Sequence, residues 1–457
     1  MSTNSSKNFS LHGDHHFLAA DFTRALKLQV PCKSDCSSEV ECSQTHPEQW
    51  SSSSCSSKDY LLISEISLDA QATVDSSLAS DDPSHNEGDD SGWGKDGWPV
   101  NRCLPFPKWG CQCPGLNFAS VHQYQTFHDL VTHYLHQALD DHCYDSLSNF
   151  VVFCQEYRNS REKYPTLLEF YREYVPALLP GRFNCVGLAT DLASRLSVLE
   201  ILYPGVVDAT YQVSCEDNIE SLDWYCSFRE PPLARCVKDH VLLCIKIIVS
   251  SRSGVVLLDP AFHIGQPITV MEDGLEPQSS VIKASTTRPE VHRTFEYRFR
   301  GDNPAYVFWD MIEKREGKPD KKCPSLIYVC KPYLSSVDVA ERCNLVYHYK
   351  SLLRRNSQGH LISGLYFRVR DCQNTNITFF HQVNGAIRHL KHPLSYFLDE
   401  ASRDEKVEEV IKAVAAGTDW TKCDLRTTLV TLAHLLQDKD LVQQVHELNN
   451  AIHEMCT

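Results

Sequence analysis

The sequence predicts an α+β fold: a helical subdomain carrying a cysteine, then a β-rich subdomain carrying a histidine and an aspartate, then C-terminal helices. Three observations predict it. Over 121–204 apolar residues recur at the three-and-four spacing of a buried helical face. Over 205–400 they fall instead into short β-branched runs separated by turn residues, and over 401–457 the helical spacing returns. The chain has 457 residues, 42% of them apolar and 10% aromatic, which suits two or three domains with a substantial core.

The net charge of −15 is unevenly spread, because residues 1–100 hold 16 Asp and Glu against 6 Lys and Arg. The remainder is close to balanced, so nothing in the charge argues for nucleic acid or an anionic membrane as a partner. The first residues lack the apolar run of a secretory signal, and the longest near-continuous apolar stretch, 241–249, has the length of a strand rather than a membrane span. A cytoplasmic protein is expected, with its 20 cysteines mostly reduced.

Taken in order, residues 1–92 form a serine-rich acidic segment expected to be a disordered tail, with apolar islands at 17–30 and 60–66. Cys32, Cys36, Cys42, His46 and Cys55 raise the question of zinc, but their gaps lack paired Cys-x-x-Cys spacing, and scattered thiols read equally well. Residues 93–120 carry Trp93, Trp98 and Trp109 among prolines, which predicts a strap packed on the domain; Cys103, Cys111 and Cys113 have no evident fourth metal ligand. Within 121–204, helical patterns run through Phe127, Leu130, Val131, Tyr134 and Leu135, through 150–153, and through Leu167, Leu168, Phe170, Tyr171 and Tyr174. Pro180-Gly181 ends that run. Gly181-Arg182-Phe183-Asn184 then reads as a turn delivering Cys185 to the start of a helix whose buried face is Leu188, Ala189, Leu192, Ala193, Leu196 and Leu199. In 205–400, strands are predicted at 206–213, 241–249, 255–258, 295–300, 326–329 and 364–369, with a loop or short hairpin at 218–232 and a turn at 250–254. Two or three amphipathic helices in 401–457 would close the domain or present a face to a partner. The chain has no internal repeat, Gly-rich phosphate loop, Gly-x-Ser-x-Gly turn or His-Glu-x-x-His sequence, which moves nucleotide, serine-hydrolase and zincin chemistry out of the front rank.

Cys185 at a helix start would meet unpaired backbone N–H groups and the positive end of the helix dipole, which favour a thiolate; the bland alternative is a small buried hydrophobe. His240 opens the strand at 241–249 and Asp259 closes the one that follows. A hairpin brings the start of its first strand near the end of its second, so the three side chains have natural roles: Cys185 as nucleophile, His240 as base, Asp259 to fix and stabilise the imidazole. A turn centred at 251 and 252 would put Asp259 opposite Cys244 and His263 opposite His240, on the right face but four residues displaced. A bulge would have to remove that offset, and His263 and Asp239 stand as substitute candidates. A core histidine and a turn-forming Asp-Pro are the ordinary readings of the same residues.

The order Cys185, His240, Asp259 resembles that of arylamine N-acetyltransferases and, more broadly, of the transglutaminase-like branch of papain-like folds. The most specific match is Leu257-Leu258-Asp259-Pro260-Ala261-Phe262 followed by Pro267-Ile268, which is similar to the acetyltransferases' Asp-x-Gly-Phe-Gly segment. The chain departs from them where Gly181-Arg182-Phe183-Asn184 replaces Arg-Gly-Gly before the cysteine, where Gly187 replaces a glutamate after it, and where Ala261 and His263 replace two glycines. The resemblance implies a papain-like or transglutaminase-like architecture, with an antiparallel β-barrel or sheet holding His240 and Asp259. It also implies ping-pong acyl transfer through an acyl-cysteine, with acetyl-CoA or another acyl-CoA as co-substrate and no tightly bound cofactor or metal. The backbone N–H of Cys185 is the natural oxyanion donor. Two other functions use the same features: an amide hydrolase or peptidase acting through the same triad, and a catalytically silent module that recruits a protein through the acidic tail or the C-terminal helices. The expected substrate is a small-molecule or peptide amine or amide.

Overall fold

The computed structural model describes residues 98–100, 102–216, 219, 221–231, 234–235, 238, 240–262, 264–283, 291–301, 303–317, 319–399 and 403–454, together with the backbone of 39–40. The tail cysteines considered for zinc, the two apolar islands and Trp93 lie outside these residues. The architecture is mixed α+β: helices, a curled and largely antiparallel nine-stranded sheet, a second five-stranded sheet, and C-terminal helices.

Helix α1 (Val121–Asp141) starts where the Ser120 side chain accepts from Gln123 N, and it buries Tyr124, Phe127, Val131, Leu135, Ala138 and Leu139 along one face. In α2 (Leu147–Asn159) the first-turn amides of Leu147 and Ser148 both donate to Asp145 Oδ1 at 2.9 Å. A capping box of Thr166 and Glu169 opens α3 (Leu167–Glu173), which buries Leu167, Phe170 and Tyr171. Leu168, predicted on that face, instead turns to solvent, because so short a helix has room for one apolar stripe. The helix α4 (Cys185–Leu196) follows, and a 3-10 turn at Ser197–Ile201 ends the helical region.

One local expectation for the next stretch fails. Residues 206–209 form a helical turn, α5 (Val206–Ala209), because Gly205 sits at φ +92° and the Glu200 carboxylate accepts from Gly205 N at 2.7 Å and Val207 N at 3.0 Å; the strand begins only at Thr210. The region expected as a loop or hairpin is irregular over its described part apart from a one-turn helix, α6 (Leu222–Tyr225), capped by Ser221.

The nine-stranded sheet contains β1 (Leu116–Phe118), β3 (Thr210–Glu216), β4 (Val241–Val249), β5 (Arg252–Leu258), β6 (Ile268–Met271), β7 (Ile282–Lys283), β8 (Val291–Arg300), β9 (Asn303–Arg315) and β10 (Lys321–Tyr328). Its order is β6-β5-β4-β3-β10-β9-β8-β7, with β1 laid parallel along β4. Strand β4 is apolar except for the half-buried Lys246 because both its faces are covered over most of its length: Val241, Leu243, Ile245, Ile247 and Val249 join the core under the helices, while Leu242 and Cys244 join a second cluster with Tyr211, Val213, Phe295 and Trp309. The five-stranded sheet comprises β2 (Tyr144–Asp145), β11 (Tyr349–Arg355), β12 (Leu361–Arg368), β13 (Asn376–Val383) and β14 (Ala386–Pro393), in the order β14-β13-β12-β11-β2. Between the sheets a π-helical turn (Ser336–Glu341) runs into α7 (Arg342–Val346).

Three C-terminal helices, α8 (Glu405–Gly417), α9 (Lys422–Leu435) and α10 (Lys439–Glu454), bury Ile411, Val414, Leu425, Leu429, Leu432, Val445 and Ile452 in the same core as α1 to α4. Each such side chain contributes about 1.5–3 kcal/mol by leaving water, so these helices close the domain. The strap packs as expected over its described part: Trp98 is buried beneath the guanidiniums of Arg172 and Arg342, and Trp109 packs on Tyr328 and Tyr333. No described helix is long and apolar enough to cross a membrane.

Candidate active site

The segment before the thiol is pinned on both sides. Phe183 O accepts from Asp145 N at 2.7 Å, and the Arg182 guanidinium lies 3.7 Å from the centroid of the Trp420 ring, just ahead of α9. Asn184, itself buried, caps α4 by accepting from Val186 N at 3.0 Å, which leaves the Cys185 N–H outside that bond. Gly187 is explained by contact: a Cβ there would sit 2.5 Å from the Phe183 ring, so the glutamate of the acetyltransferase pattern could not be accommodated without moving the turn. Cys185 is 1% exposed.

The hairpin that carries the other two residues has a tighter turn than expected. Ser250 and Ser251 occupy its two central positions at φ +50° and +66°, the left-handed pair of a primed two-residue turn, and β5 starts already at Arg252. Leu243 therefore faces Leu258, and the ladder ends there with no bulge. By continuation Asp259 falls level with Leu242, two residues from His240 rather than four, and the side chains close that gap beyond the hairpin's open end. Asp259 Oδ2 meets His240 Nε2 at 2.7 Å, while Oδ1 accepts from the backbone of Ala261 at 3.0 Å and Phe262 at 3.1 Å. One carboxylate thus serves both as turn former and as partner of the imidazole. The substitutes His263 and Asp239 lie outside the described residues.

The Cys185 side chain is the other hydrogen-bonding partner of His240. With Nε2 committed to Asp259, Nδ1 is the nitrogen left for the sulfur. Burial alone would push the imidazole's pKa down, but the Asp259 carboxylate, by charge and hydrogen bond, and Cys185 beside it hold it well above the usual histidine range. Several other cysteines are driven the opposite way from reactivity: burial pushes Cys103 and Cys143 up to about 11 and Cys154 and Cys244 up to about 12. Every cysteine whose side chain is described is a free thiol, and no group of three or more His, Cys, Asp or Glu among the described residues could hold a metal ion.

Several neighbours escaped the sequence reading. Asn344 Nδ2 lies 3.9 Å from Cys185 Sγ. Gln212, from β3, donates to Thr190 Oγ1 at 2.9 Å and braces the first turns of α4. Arg355 is buried and within electrostatic reach of Asp259; burial lowers its guanidinium to about 10 despite that carboxylate. Glu341 accepts from Asn149 Nδ2 at 2.6 Å and lies close to Asn184; burial pushes its carboxyl up to about 7. Lys350, donating to Asn344 O at 2.6 Å, is pushed down to about 7. On the far side of the imidazole, Phe262 packs edge-on against Trp309 with centroids 4.8 Å apart, and a second ring, Tyr297, stacks on Trp309. Asn344, Gln212, Arg355 and Glu341 act through contacts between distant segments, which carry no local signal.

The chain matches no family model and no curated protein sequence. What fold and site together define is an α+β protein in which a helix-borne cysteine meets a histidine that an aspartate holds.

Proposed function

We propose that the chain is a cysteine-nucleophile acyltransferase of arylamine N-acetyltransferase type, with a papain-like or transglutaminase-like arrangement of its helical and β-rich parts, acting in the cytoplasm, where thiols stay reduced. The observation that carries the reading is the His240–Asp259 bond of 2.7 Å with Cys185 as the histidine's other partner. His240 holds the proton it shares with Cys185, kept there by the Asp259 carboxylate, as the sulfur attacks the carbonyl carbon of a thioester. The carbonyl electron pair moves onto oxygen, collapse expels the leaving thiolate, and that thiolate takes the proton back from the imidazolium. In the second half-reaction His240 takes a proton from the incoming amine, which displaces the sulfur from the acyl carbon. The Cys185 N–H, at the start of α4, is the proposed donor to the developing oxyanion.

Transfer is favoured over hydrolysis by access. Cys185 is 1% exposed while the His240 side chain is 20% exposed, burial that suits a slender acyl group better than a folded polypeptide. The test is mass spectrometry after incubation with acetyl-CoA. An acetyl group on the Cys185 peptide, absent from Cys185→Ser, is expected; no adduct with any acyl-CoA, together with thioester-independent turnover of peptide amides, would establish the hydrolase instead.

A further inference from the structure

We propose that Asn344 is a catalytic residue of this site: its side-chain amide donates to the Cys185 sulfur at rest and to the substrate's carbonyl oxygen once that carbon is bonded to the sulfur. The proposal rests on the cysteine-nucleophile reading. Asn344 stands in α7 and is buried. Which end of its amide faces the thiol is fixed by its other partners: Oδ1 accepts from Tyr144 OH at 3.4 Å, and Nδ2 donates to Ala340 O at 2.8 Å. A primary amide nitrogen carries two hydrogens, so Nδ2 can donate to both Ala340 O and Sγ, the latter 3.9 Å away. The main chain is held as well, since its carbonyl accepts from the fully buried Lys350 Nζ at 2.6 Å.

That contact is long at 3.9 Å. In a tetrahedral adduct the oxygen sits two bonds from the sulfur, so a donor this near Sγ reaches the roughly 2.7–3.1 Å an oxyanion requires when the oxygen turns to its side. Asn344 would then complement the Cys185 N–H, giving the oxyanion one side-chain donor and one from the start of α4. An amide neither gains nor loses a proton near neutral pH, so its whole effect is electrostatic and falls on the step in which oxygen becomes negative.

The test uses the full chain, wild type against Asn344→Ala and Asn344→Asp, with two reagents. p-Nitrophenyl acetate acylates Cys185: the C–S bond forms, the carbonyl electron pair moves to oxygen and back, and p-nitrophenolate leaves. Iodoacetamide alkylates the same sulfur with loss of iodide and no oxyanion; both are followed on the Cys185 peptide by mass spectrometry. For Asn344→Ala the p-nitrophenolate burst should slow about 100-fold while alkylation changes by only about threefold or less. Asn344→Asp keeps the shape but turns a negative oxygen toward the oxyanion, so it should acylate more slowly still. An unchanged burst, or equal slowing of both reactions in variants that melt like wild type, overturns the assignment. A wild-type chain that gives no acyl-Cys185 overturns the underlying reading and this one with it, so the two failures are told apart by the wild type alone. If the alanine variant does not fold, Asn344→Asp carries the test by itself: wild-type acylation in it also overturns the proposal.

Discussion

Replacing Asp259 with asparagine separates the placement of His240 from its protonation. In the native chain Oδ1 holds two backbone donors, Ala261 N at 3.0 Å and Phe262 N at 3.1 Å, while Oδ2 meets His240 Nε2 at 2.7 Å. The substituted amide has one oxygen to give. Turning it to the histidine would aim an NH2 group at the two backbone N–H donors and leave both unpaired, at about 1–3 kcal/mol each. The oxygen therefore stays on the turn and the NH2 faces Nε2, which must become an acceptor; the ring proton moves to Nδ1, the nitrogen beside Cys185. A base with its proton already on that side cannot take another from the thiol. With the carboxylate gone, burial is left as the leading influence on the imidazole, so the imidazolium loses its support as well. The expected loss in acylation rate is about 10³–10⁴-fold, about 4–5.5 kcal/mol of barrier, with the fold kept. Stopped-flow release of p-nitrophenolate, alongside a thermal melt by circular dichroism, measures both. Acylation within about tenfold of wild type in a folded Asp259→Asn protein would refute the tautomer argument and the role given to His240.

Three further outcomes follow from the same geometry. Glu341 has a folded pKa of about 7 against an ordinary 4.5, so the folded chain keeps a proton that the unfolded chain gives up. Its contribution is most favourable below about pH 4.5 and is lost as pH rises toward 7, by on the order of 3 kcal/mol; Glu341→Gln should flatten that decline, and equal slopes for the two proteins in urea unfolding at pH 5 and 7 would count against it. Gly187→Ala should cost on the order of 1–3 kcal/mol and slow acylation of Cys185, because its Cβ displaces Phe183 from the turn; a melt and a burst both equal to wild type would show that the ring has room to move. Ser251→Gly should stabilise the chain by up to about 1 kcal/mol in chemical denaturation, since it removes a side chain from φ +66°; a loss of stability would mean that the turn depends on the serine itself.

The cysteine helix was legible because its signal is local: a polar cap at Asn184, then apolar residues at helical spacing, all buried as expected. The hairpin was legible as an element but not in register. Arg252-Ser253-Gly254 looks like turn chemistry, whereas the turn is made by Ser250 and Ser251, which rarely hold left-handed backbone; moving its centre by one residue shifts every pairing by two. At Val206–Ala209, β-branched side chains argued for a strand until the Glu200 carboxylate captured the backbone amides into a turn. Asn344 and Glu341 could not be read at all, because their meaning lies in contacts with Cys185, Asn149 and Asn184 across the fold, and no periodicity marks a residue that matters to a distant segment.

The stacking of Arg182 on Trp420 ties the turn before the thiol to a residue made much later in synthesis. Helix α10 likewise packs against α3 and α7, the helix that carries Asn344. A nascent chain leaving the ribosome therefore holds Cys185, His240 and Asp259 well before it holds the parts that brace them. The order of translation sets when the thiol acquires its surroundings: a chain stopped before Trp420 carries the three residues without the contacts that brace the turn ahead of the thiol.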